Sequence, residues 1–144
     1  MSRKTMLQED LKMETNLRKI LVVDDNQSIR CLITQMLSRL GYDVISTDSG
    51  ENGLELFLKN QFDLVITDLE MSGMDGIALA GHIKEKSPFT LVILMTGQGK
   101  EITLAKIKAS SLDQALFKPF YLTEIQEKIQ SVLNRWQSGA RQTI

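Results

Sequence analysis

Two adjacent carboxylates, Asp24 and Asp25, a third at Asp68 and an ammonium at Lys118 each follow a short apolar run: Ile20-Leu21-Val22-Val23, Leu64-Val65-Ile66-Thr67 and Ala115-Leu116-Phe117. If these runs are parallel strands of one sheet, the charged groups arrive together at one edge. Carboxylates brought that close repel one another, and they either hold protons or demand a cation. Hard oxygen ligands of this kind suit Mg²⁺, which binds through one or two carboxylates and keeps other positions for water and phosphate oxygens. A lysine beside them offers a compact positive charge for a carboxylate or for phosphoryl oxygens. Thr96 ends another apolar run, and Gly97-Gln98-Gly99 follows it, so its hydroxyl sits on a segment free to move toward an anion. Singly, each residue has a plain role: Asp24 or Asp25 as a helix cap, Asp68 and Thr96 as strand ends. Their recurrence at the ends of successive runs points instead to a divalent cation and a phosphoryl group.

The elements that must position them are legible from periodicity. A strand over about Lys19 to Asp24 precedes Ile29, Leu32, Ile33, Met36, Leu37 and Leu40 at helical spacing, stopped by Gly41. Val44-Ile45-Ser46 reads as a strand, with Leu54, Leu56, Phe57 and Leu58 as the packed part of a helix ending near Asn60. The strand at Leu64 to Thr67 leads through Asp75-Gly76 into a helix that packs Ile77, Leu79, Ala80 and Ile83 and stops before Pro88. Leu91-Val92-Ile93-Leu94-Met95 is apolar without alternation, as a central parallel strand covered on both faces should be. A short helix around Ile102, Leu104, Ala105 and Ile107, a strand at Ala115 to Phe117, and a last helix opening on the capping box Thr123-Glu124-Ile125-Gln126 complete the alternation. Its packed side carries Ile129, Val132, Leu133 and Trp136. Regular strand-helix alternation predicts an α/β fold, a doubly wound parallel sheet whose strand ends share one edge.

At 144 residues the chain has the size of one domain, and 17 basic residues against 18 acidic ones give no net pull toward nucleic acid or an anionic membrane. No window approaches the ~20 apolar residues of a membrane span, and a single cysteine, Cys31, excludes an internal disulfide. Cys31 is expected in the core and the protein in the cytoplasm. Residues 1–17 fit a loose helical stripe or a disordered extension equally, and 137–144 form a short tail. His82, within the third helix and away from the site edge, is expected to be solvated, and Trp136 to pack the last helix.

Residues 18–136 resemble the receiver domain of two-component response regulators. The resemblance rests on Val22-Val23-Asp24-Asp25-Asn26, Ile66-Thr67-Asp68 followed by Met74-Asp75-Gly76, Met95-Thr96-Gly97, and Phe117-Lys118-Pro119-Phe120. It implies a flavodoxin-like (βα)5 fold with five parallel strands in the order 2-1-3-4-5. It further implies that Asp68 accepts a phosphoryl group from a phosphohistidine, with Mg²⁺ held by Asp25, Asp68 and the backbone carbonyl of Glu70, and by Asp24 through water. Thr96 and Lys118 would bind phosphoryl oxygens. The partners implied are a sensor histidine kinase or a histidine phosphotransfer protein and an unidentified downstream protein, with a second copy of the chain as a candidate.

Three departures from the family pattern stand out. Ala115 stands where an aromatic residue usually reports phosphorylation to the output face, and Phe117, two residues on and facing the same way, is expected to substitute in part. Ser72 replaces a common proline, and Glu70 and Gln98 flank the path of the water that removes the phosphoryl group. The expected function is a stand-alone phosphorylation switch that changes its protein binding, catalysing its own phosphorylation and slow self-dephosphorylation rather than acting as an enzyme on other substrates. Two rivals remain: a binding module that signals without phosphorylation, and a small aspartyl phosphatase for which Glu70 has the general-acid spacing.

Overall fold

The computed structural model describes residues 19–97, 99, 104–105 and 112–135. The strands are β1 (Lys19–Val23), β2 (Asp43–Thr47), β3 (Leu64–Asp68), β4 (Leu91–Thr96) and β5 (Gln114–Phe117). The helices are α1 (Gln27–Arg39), α2 (Gly50–Lys59), α3 (Gly76–Lys86) and, after β5, α4 (Leu122–Arg135). The five strands form one sheet in the order β2-β1-β3-β4-β5, and every neighbouring pair is parallel. This is the doubly wound arrangement that the alternation predicts, in the flavodoxin-like strand order that the resemblance implies.

Strand alternation sends successive side chains to opposite faces, and each face has its own core. Ile20, Val22, Leu64, Ile66, Ile93, Met95 and Leu116 pack with Ile33 and Leu37 of α1 and with Ile125, Ile129 and Val132 of α4. Leu21, Val23, Val65 and Val92 pack with Phe57 of α2 and with Leu79, Ala80 and Ile83 of α3. β3 and β4 are buried at every residue, which is why their sequences lack alternation.

Local chemistry sets the helix ends. Asn26, Ser49 and Asp75 cap α1, α2 and α3 by accepting from the backbone N–H groups of Ile29, Asn52 and Ala78. Gly41, at φ 96°, stops α1: the N–H of Gly41 donates to Ser38 and that of Tyr42 to the Leu37 carbonyl, satisfying the last turn.

Several expectations are corrected. α1 buries the stripe through Ile33 and Leu37, whereas Leu32 is 51% exposed and Cys31 is exposed as well. A helix advances about 100° per residue, so position 31 lies far round from the stripe carrying 33 and 37. Leu58 of α2 is likewise 56% exposed. α4 begins at Leu122, ahead of the expected capping box at Thr123, and the side chain that reaches back is that of Glu124, whose carboxylate accepts from the Tyr121 N–H at 3.0 Å. His82 is solvent-exposed as expected. Of the short helix expected before β5, only Leu104 and Ala105 lie among the described residues, and both are helical and exposed. The two tails, Gln98 and Trp136 lie outside the described residues.

Candidate functional site

The sheet edge formed by the C-terminal ends of β1, β3, β4 and β5 gathers the predicted residues. Asp24 follows β1, Asp68 ends β3, Thr96 ends β4 and Lys118 follows β5. Backbone bonds lock these ends together: the Leu69 N–H donates to the Met95 carbonyl and the Lys118 N–H to the Thr96 carbonyl, both at 2.7 Å. Oxygen atoms of Asp24, Asp25 and Asp68 all lie within 4.8 Å of one another, with Asp24 and Asp68 buried and Asp25 exposed. Lys118 reaches them across the edge, its Nζ 2.9 Å from Asp68 Oδ1 and 3.6 Å from Asp24 Oδ2. The Lys118–Pro119 peptide is cis.

The aspartates are not helix caps. Asn26 performs that task for α1, and it holds Asp24 as well, donating its N–H to Asp24 Oδ1 at 2.8 Å. Arg30 adds a 2.7 Å bond from its guanidinium to the Asp24 backbone carbonyl. Asp24 Oδ2 is left buried with no hydrogen-bond partner. A buried charged oxygen in that state is costly unless a cation approaches it, and the single ammonium of Lys118 faces both buried carboxylates. The donor set is therefore one that a hard divalent cation fits.

The electrostatics agree. Burial pushes the Asp68 carboxyl up to about 6; the Lys118 hydrogen bond opposes the shift and the Asp24 charge adds to it. Burial also raises Asp24, against the hydrogen bond from Asn26 and the charge of Lys118. For Lys118, burial works to lower the pKa, but Asp68 and Asp24 together outweigh it and hold the ammonium above its ordinary range.

Two features of the site escape a reading by residue type. Gly76, the first residue of α3, lies so close to β3 that a Cβ there would collide with the Asp68 carbonyl oxygen and with Leu94. Only glycine lets the helix start close onto the end of the strand, and its N–H donates to the Leu69 carbonyl at 3.1 Å. Asp75-Gly76 was legible as a helix start, but not as a packing requirement. The second feature is Glu70, whose carboxylate accepts from the Thr96 hydroxyl at 2.7 Å and from the Gly97 N–H at 3.2 Å. Burial would raise the Glu70 pKa, but these donors prevail and lower it. Thr96 thus arrives at the edge with its hydroxyl turned to Glu70.

A sequence model of the response regulator receiver domain matches residues 20–130. The chain belongs to that family. ResD, a transcriptional regulatory protein of Bacillus subtilis (strain 168), is 34% identical over 122 residues, covering 85% of this chain and 50% of ResD. The chain spans about half the length of this and similar curated relatives. Among solved structures, the response regulator TrrA from Thermotoga maritima, in complex with Mg²⁺ and BeF, matches with a TM-score of 0.72 at 33% identity. That match covers 81% of this chain and 99% of TrrA. The chemotaxis protein CheY4 of Vibrio cholerae matches with a TM-score of 0.76 at 29% identity, covering 81% of this chain and 98% of CheY4. Receiver domains are the phosphorylation-dependent switches of two-component systems, and the acidic cluster of this receiver stands at the edge where its fold gathers strand ends.

Proposed function

We propose that Asp68 of this receiver domain accepts a phosphoryl group from the phosphohistidine of a sensor histidine kinase or histidine phosphotransfer protein. The observation that carries the reading is the cluster itself: three aspartate oxygens within 4.8 Å of one another, with Lys118 2.9 Å from Asp68. Asp25, Asp68 and the Glu70 backbone carbonyl would hold Mg²⁺, with Asp24 acting through water. Bound there, Mg²⁺ supplies charge neutralisation for the carboxylates and for the transferring phosphoryl oxygens. The Asp68 carboxylate attacks phosphorus as the phosphorus–nitrogen bond to the donor imidazole breaks, and an acyl phosphate results. Lys118, already bonded to Asp68, redirects its ammonium to a phosphoryl oxygen, and Thr96 donates its hydroxyl to another. The edge gains about 1.5 to 2 negative charges and three strong acceptors, and the receiver surface changes its protein binding in response.

The functional unit is residues 18–136, acting in the cytoplasm; no helix among the described residues is long and apolar enough to cross a membrane. The phosphatase reading is disfavoured by Glu70, whose carboxylate is engaged by Thr96 and Gly97 rather than free to protonate a leaving group. The test is incubation with Mg²⁺ and acetyl phosphate followed by intact-mass measurement. A phosphoryl adduct that vanishes in Asp68→Asn and on chelation of Mg²⁺ is expected. An unmodified wild-type protein under all conditions overturns the reading, and turnover of diverse phosphate esters transfers it to the phosphatase.

A further inference from the structure

We propose that the Glu70 carboxylate is a built-in stand-in for the phosphoryl group, occupying its donors until phosphorylation evicts it; this rests on the reading of Asp68 as the acceptor. Two donors from consecutive residues, the Thr96 hydroxyl and the Gly97 N–H, converge on one oxygen, Glu70 Oε1, at 2.7 and 3.2 Å. Such a convergence is a small anion seat at the end of β4. Its occupant is an anion carried two residues beyond Asp68, so the seat is filled from the same loop that would bear the phosphoryl oxygens.

A hydroxyl has one proton to donate, so Thr96 cannot serve Glu70 and a phosphoryl oxygen with it at once. The two anions would also repel one another beside a single lysine. Thr96 is wholly buried, whereas Glu70 is exposed. The carboxylate can therefore swing into water and be hydrated there, while Thr96 stays at the strand end. Phosphorylation then cuts the tie between the loop after β3 and the chain leaving β4. That tie is a local element with two states, and it does not depend on an aromatic side chain at position 115. Glu70 in this role is a positioning residue: it acts on the phosphoryl group through Thr96 and Gly97.

The inference predicts a dependence on Thr96 that a water-path role for Glu70 does not. Beryllofluoride, at fixed saturating Mg²⁺, is titrated calorimetrically into the wild type and into Glu70→Ala, Glu70→Gln, Thr96→Ala and the Glu70→Ala/Thr96→Ala double variant. Glu70→Ala is expected to tighten binding about tenfold, equivalent to about 1.4 kcal/mol. Glu70→Gln, which keeps an acceptor oxygen but loses the charge, should fall between. In the Thr96→Ala background the gain should shrink to about twofold, the coupling being read from the cycle. In the absence of beryllofluoride, the Gly97 amide should exchange its hydrogen faster in Glu70→Ala than in the wild type. Equal affinities for wild type and Glu70→Ala, or the same gain with and without Thr96, overturn the inference while leaving Asp68 as acceptor. Absence of binding in the wild type itself, as in Asp68→Asn, overturns both.

Discussion

Among the described residues of this receiver domain, lysine–aspartate contacts stand at opposite edges of the same sheet, at Lys84 and at Lys118, and they differ in how completely they are satisfied. At the edge where β4 begins, Lys84 lies 2.8 Å from Asp113 Oδ2 and donates to the Thr90 carbonyl at 2.6 Å. The same aspartate oxygen accepts from the Val92 N–H at 2.7 Å, so one carboxylate and one ammonium close on each other and on the backbone. At the edge where the strands end, Lys118 faces two buried carboxylates with a third nearby, and Asp24 Oδ2 has no hydrogen bond. A closed pair ties α3 to β4 and the approach to β5. The other cluster has more negative charge than its own residues can neutralise, which is the condition for recruiting a cation and phosphoryl oxygens. A lysine–aspartate contact is thus evidence of function when its charges do not balance, and of structure when they do.

The sharpest way to break that contrast is to remove each lysine. Lys118→Ala should slow adduct formation from acetyl phosphate on the order of 100-fold, the usual effect of deleting one preorganised group that meets developing charge. Lys84→Ala should leave the rate per folded molecule unchanged and lower stability by about 2 kcal/mol, because a largely buried Asp113 carboxylate loses the ammonium that balances its charge. Intact-mass time courses and urea unfolding measure the two. Equal slowing by both substitutions, at equal folded fractions, would show that the two pairs are not functionally distinct.

Packing at the site edge offers a second test. Gly76→Ala inserts a methyl group against the Asp68 carbonyl and Leu94, and overpacking of this kind destabilises by about 1 to 3 kcal/mol. Unlike Lys84→Ala, it should also slow adduct formation, since the strain falls on the backbone of Asp68 itself. A loss of stability with an unchanged rate would mean that α3 yields and the strand end does not.

What was legible in the sequence follows from the range of the interactions involved. Strand ends, the helix stop at Gly41 and the helix start at Asp75-Gly76 are written in period and local turn chemistry, and so the edge carrying Asp24, Asp68, Thr96 and Lys118 could be located. The Glu70 to Thr96 bond spans 26 residues and the Lys84 to Asp113 bond 29. Such contacts depend on side-chain directions that only the packed sheet fixes. The same limit explains the corrections on the surface: Leu32 and Leu58 are apolar in helical sequence, but each helix has one narrow buried stripe, and the sheet decides which residues occupy it. Asn26 displaced both aspartates as the cap of α1 for a local reason, because the first turn reaches back to Asn26 and its side chain meets the Ile29 N–H at 3.1 Å.

The smallest effects give the most discriminating comparison, because one substitution made at both edges should act with opposite sign. Asp113→Asn keeps an acceptor for the Val92 N–H but removes the charge opposite Lys84, and should destabilise by about 1 kcal/mol. Asp24→Asn keeps an acceptor for the Asn26 N–H and removes a buried charge whose second oxygen had no hydrogen bond, so without divalent cation it should stabilise by about 1 kcal/mol. Mg²⁺ then reverses the ranking at the site edge. A ligand bound only by the folded state stabilises by mass action, about 2.7 kcal/mol at 100 times its dissociation constant. The wild type should gain in this way, and Asp24→Asn should gain less because it offers the cation one carboxylate fewer. Thermal unfolding of the wild type and the two variants, with Mg²⁺ and with chelator, provides the measurement. If Asp24→Asn is destabilising in chelator, Asp24 is satisfied by the fold alone, and the surplus of charge that separates the two edges disappears.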